Sequence, residues 1–143
     1  MRRRVVLLAA VVGLGLVALG ALKEEPLPAE LEEKVQGFFK LLQEDKVDEA
    51  YDALTAGGLL ADKKDTMDML KAQTKIGLAV YGPFEGLETL SERWASPSLA
   101  QGVYLYKKRD LALVWKLTFY KSSRGWQVVS VFFNDQVPAY FGE

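Results

Sequence analysis

The spacing of apolar side chains changes character along this chain. An unbroken apolar stretch runs from Val5 to Leu22, helical spacings follow as far as Val80, and alternation by twos takes over from Leu111. Leu31, Val35, Phe38, Phe39 and Leu42 recur at i, i+4, i+7, i+8 and i+11, which predicts one amphipathic helix. Pro28 suits its first turn, and Glu30, Glu32 and Glu33 put negative charge at the positive end of the helix dipole. A shorter second helix carries Val47, Ala50, Tyr51 and Leu54 and stops at Gly57–Gly58. A third begins near Asp62–Asp65. It places Met69, Gln73, Ile76 and Val80 on one face, with Met67, Leu70, Thr74 and Gly77 beside them, and ends at Gly82–Pro83.

The second half predicts strands. Leu111, Leu113, Trp115, Leu117 and Phe119 share one face, opposite Ala112, Val114, Lys116, Thr118 and Tyr120. Lys121–Gly125 makes a turn into a Val- and Phe-rich strand, Trp126–Asn134. Upstream, Leu99–Tyr106 reads as a strand that turns through Lys107–Asp110, so three antiparallel strands form a meander. Phe84–Trp94 is also read as a strand, although Phe84, Leu87 and Leu90 have helix-like spacing and Glu88, Leu90, Glu92 and Trp94 alternate poorly. The last two strands are apolar on both faces. One face covers the helices, and the other needs a cover that a second copy of the sheet would supply, so a homodimer through the sheet is expected.

Basic Met1–Arg4 ahead of the apolar stretch, with Lys23, Glu24 and Glu25 directly after it, reads as a secretory signal. Ala18 and Gly20 stand at −3 and −1 of a cleavage after Gly20. The alternative is an uncleaved anchor, because eighteen apolar residues lie at the lower edge of what spans a bilayer. Both place the domain outside the cytoplasm, periplasmic or secreted, and only the uncleaved form touches a membrane. The resulting division is 1–20 signal, 21–28 linker and 29–143 a single α+β domain.

Composition mainly excludes. The 143 residues contain no Cys and no His, which removes disulfides, thiolate nucleophiles and every Ser–His or Asp–His arrangement. Net charge is −1, and loss of Arg2, Arg3 and Arg4 leaves fifteen cations against nineteen acids, a net −4. Such a domain is poorly suited to nucleic acid. Its basic clusters, Lys107–Arg109 and Lys121–Arg124, fall in successive hairpin turns and so at opposite ends of the sheet. Asp62, Asp65 and Asp68 read as helix-start acids, not metal ligands. No metal and no cofactor is expected.

Helices followed by a long antiparallel sheet give an order that resembles the cone-shaped α+β fold of nuclear transport factor two, the ketosteroid isomerases and the cystatin-like proteins. The resemblance spans about Ala29 to Phe133 and rests on the helix pattern, on LVWKLTFYKSSRGWQVVSVFF and on VYGPFEGLETL. The piece TFYKSSRGWQVVSVFFND is similar to small exported bacterial proteins of that superfamily. The resemblance implies a curved sheet around a cone. Enzymes of the superfamily use an Asp or His base in the cone, with a Tyr or Asp polarising a carbonyl. Here histidine is missing, Asp110 falls in a turn and Asp135 at a strand end, while Tyr104 or Tyr120 could donate. Trp94, Trp115, Phe119 and Trp126 are the candidate cone lining, either around a small apolar ligand or as plain core. The leading expectation is a non-enzymatic binding or interaction domain. The alternatives are an isomerase- or dehydratase-type enzyme using Glu88 or Glu92, and an envelope-associated structural protein.

Overall fold

A computed structural model describes residues 22–142. The signal segment and its cleavage after Gly20 lie outside the described residues. The order is β1 (Lys23–Glu24), α1 (Ala29–Gln43), α2 (Val47–Thr55), a 3₁₀ turn (Leu59–Asp62), α3 (Lys64–Leu78), β2 (Phe84–Ser96), β3 (Leu99–Lys108), β4 (Ala112–Ser122), β5 (Gly125–Asn134) and a second 3₁₀ turn (Val137–Phe141). The fold is α+β. The helices pack on one side of a curved, unclosed antiparallel sheet of order β1-β2-β3-β4-β5. Within the expected linker, Lys23–Glu24 is a short strand paired with Arg93 and Trp94.

The first two helices bury the stripes that their spacing dictates. Leu31, Val35, Phe38, Phe39 and Leu42 of α1, and Val47, Ala50, Tyr51 and Leu54 of α2, are all buried. The third behaves differently. Its buried residues are Met67 and Thr74, whereas Met69, Ile76 and Val80 are 52%, 70% and 41% exposed. Two contacts fix this rotation. The Tyr51 and Thr74 hydroxyls hydrogen-bond at 2.7 Å, which draws the Thr74 side toward α2. Gly77 faces the Phe133 ring, and a Cβ there would come within 2.9 Å of Phe133 Cε2.

Phe84–Ser96 is a strand, and its structure explains its irregular pattern. Register shifts between Phe84 and Gly86, Thr89 and Ser91, and Trp94 and Ser96 break strict alternation three times. The β3 strand runs two residues further than expected. Lys108 is buried in it, with its ammonium donating to Leu78 O at the end of α3. Burial pulls the pKa of that ammonium down, against the attraction of Asp45. Along β3 and β4 the inner positions Ala100, Tyr104, Tyr106, Leu113, Trp115, Leu117 and Phe119 join the helix residues in one core.

Candidate functional site

The concave side of the sheet is where the cone lining was expected, and aromatic rings pack it. Phe38 and Phe39 of α1 meet the Trp115 indole edge-on, with centroids 5.5 and 5.7 Å away. Phe133 stacks on Trp115 at 4.4 Å, and Phe39 meets Tyr104 at 5.3 Å. Trp115 and Phe119 have no exposed surface. Trp94 and Trp126 are half-buried at the hairpin end of the sheet and touch edge-to-face at 5.5 Å. The structure therefore separates the four residues into two in the packed core and a pair at its mouth. In the strand register the small Ala100 stands between Trp94 and Phe119.

The two glutamates named as candidate bases also part company. Glu88 is exposed and ion-paired with Lys107 at 3.0 Å. Glu92 registers with Gly102 and accepts a hydrogen bond from the Leu27 amide at 3.3 Å. Burial raises its pKa first, and the neighbouring Glu32 carboxylate raises it further. The Tyr104 side chain completes this cluster. Its hydroxyl is buried without a hydrogen-bond partner among the described residues, and burial followed by the charges of Glu92 and Glu32 pushes its pKa upward. It lies over Gly102, where a Cβ would overlap the hydroxyl. Only glycine at 102 leaves Tyr104 this seat. Tyr120, the other candidate donor, is 43% exposed on the outer face.

Glu32 had no signal in the sequence beyond its place in the first turn of α1. Its approach to Glu92 follows from the entry of the chain, since Glu25 N bonds Glu92 O at 3.1 Å and Trp94 Nε1 bonds Glu25 O at 3.1 Å. These contacts lay the segment Glu25–Leu27 over the carboxylate. A groove of about 440 Å³ opens beside it, lined by Lys23, Glu25 and Trp94–Pro97. A second, of about 510 Å³, lies between Gly57–Asp62 and the side chains of Tyr120, Arg124, Gln127 and Val129. Both are surface clefts.

Exposed apolar side chains include Leu59 and Phe141 of the two 3₁₀ turns and two further groups. Leu99, Tyr120, Val129 and Phe132 are 39–50% exposed on β3, β4 and β5, and Met69 and Ile76 face outward on α3 with Val80 just past its end. Among the described residues no helix is long and apolar enough to cross a membrane. Compared with known proteins, the chain matches no family model, no curated protein and no solved structure.

Proposed function

We propose that this chain is an exported, non-enzymatic interaction domain that acts outside the cytoplasm and associates with a second copy of itself through its sheet. The observation that carries this reading is the contrast between interior and exterior. Large side chains fill the interior, from Trp115 and Tyr51 to Phe38, Phe39 and Phe119, while apolar residues are left on the outside of β5 and α3. A domain that binds small molecules in its cone keeps room there. A domain that recognises protein keeps apolar surface outside. The apolar stretch after Arg2–Arg4 supports export.

Native mass spectrometry of the protein recovered from the extracytoplasmic fraction tests the proposal. The expected species is a dimer of bare chains. A monomer at tens of micromolar, or a chain carrying a stoichiometric small molecule, would count against it.

A second reading has one observation in its favour. Glu92, with its raised pKa, stands next to the unpartnered Tyr104 hydroxyl, as a proton-transferring carboxylate and a hydrogen-bond donor would in an isomerase. The segment Glu25–Leu27 over that pair is what weighs against it. Turnover of an enolisable carbonyl substrate that is lost in Glu92→Gln would move the assignment to this reading.

A further inference from the structure

The two borders of the sheet are not alike, and β5 is the open one. Its first half is covered: Leu59 N donates to Gln127 Oε1 at 3.2 Å, which holds the 3₁₀ turn against Gly125–Val128. Val129 then drops out of register, since Val128 pairs with Phe119 and Ser130 with Thr118. Beyond it, Ser130–Asn134 pairs with β4 on one side only. On its other side, no backbone hydrogen bond to another described residue is present. No charged residue occurs anywhere from Gly125 to Asn134. Unpaired donors and acceptors along a charge-free border are a template for another strand.

The outward stripe of α3 adjoins this border. Gly77 touches Phe133, which fixes the helix face that meets β5. At 100° per residue, Gln73 flanks Gly77 on the side away from Thr74 and α2, and Met69 and Ile76 continue the same stripe. On the inner side Phe133 thus meets the C-terminal end of α3, from which Ile76 and Met69 face outward, while Phe132 lies on the outer face beside Lys116 and Tyr140.

We infer that Ser130–Asn134 pairs antiparallel with the same segment of a second copy, joining two five-stranded sheets into one, with the α3 stripes meeting on the shared inner side. The occupant of such a border must bring an extended strand and, on one face of it, an apolar helix surface. This chain offers that combination itself. A two-fold axis perpendicular to the sheet keeps both inner faces on the same side, so each α3 approaches its copy. Within the strand pair itself no like charges meet, because Ser130–Asn134 has none. The inference rests on the proposed self-association and specifies where it occurs.

Sedimentation velocity on the protein as its cells produce it, with two variants, decides the matter. Ile76→Glu changes a side chain that is 70% exposed, so it leaves the fold intact. It should raise the dimer dissociation constant at least 100-fold and speed amide exchange at Ser130–Asn134. Leu99→Glu, on the outer face at the hairpin end, should leave the constant within a factor of about three. A dimer that survives Ile76→Glu but dissociates with Leu99→Glu overturns the border pairing and leaves the proposed self-association standing. A dimer that resists both substitutions, with rapid exchange at Ser130–Asn134, also overturns it. A wild-type monomer removes both.

Discussion

The two borders of this sheet show how differently one fold can finish its edges. At β2, the chain doubles back as β1, three register shifts bend the strand, and Glu85, Glu88, Glu92 and Arg93 punctuate it with charge. Each of these is a known means of keeping a foreign strand away. At β5, a single turn covers the first half and the remainder carries neither charge nor proline. The lesson is that the unpaired backbone, and not the total of exposed apolar residues, is what sets the proposed pairing surface apart.

Damage to the closed border should have the largest effect. Gly102→Val places a side chain on the Tyr104 hydroxyl, and urea unfolding should show a loss of about 3 kcal/mol, the upper part of the overpacking range, with dimerisation of the folded fraction unchanged. Leu27→Ala comes next. This side chain is 6% exposed, and its truncation should remove about 2 kcal/mol and accelerate amide exchange from Lys23 to Leu27, leaving β5 exchange as before. A comparable change in β5 exchange would mean that the two borders are not independent.

The pH response of the closed border is smaller. Glu92 titrates from an ordinary value near 4.5 to a raised one in the folded chain, through burial and then through Glu32. A raised carboxyl pKa favours the protonated form in the fold. Its contribution to stability is therefore full below about pH 4.5 and fades as pH rises through the folded value. Glu92→Gln should flatten this decline in melts taken from pH 4 to 8, and an unchanged profile would show that the Glu92 pKa is not raised in the fold. Tyr51→Phe should have the least effect on either border. It deletes the 2.7 Å bond to Thr74, whose hydroxyl keeps Leu70 O as acceptor, at a cost of about 1 kcal/mol.

Much of the architecture was legible in the sequence because hydrophobic spacing and burial agree in most elements. The stripes of α1 and α2 and the inner row Leu113–Phe119 were read directly from period. The α3 helix shows where period fails. Its apolar residues outnumber its buried ones, and the buried side is selected by a hydroxyl bond and by a glycine that admits a phenyl ring, neither of which registers as hydrophobicity. In β2, alternation was obscured by the same register shifts that protect the border. The candidate site was legible only in part. Glu92 and Tyr104 could be named as a carboxylate and a hydroxyl, but their meeting over Gly102 depends on strand register, and Glu32 arrives from another element altogether.

A border that is open on one side and sealed on the other also determines how far assembly can proceed. With both ends of the sheet available, each added copy would present a fresh end, and growth would continue into a fibre. Because β1 and the charges of β2 close one end, two copies joined as proposed through β5 would expose only closed ends. Under the proposed pairing the count would stop at two by geometry alone.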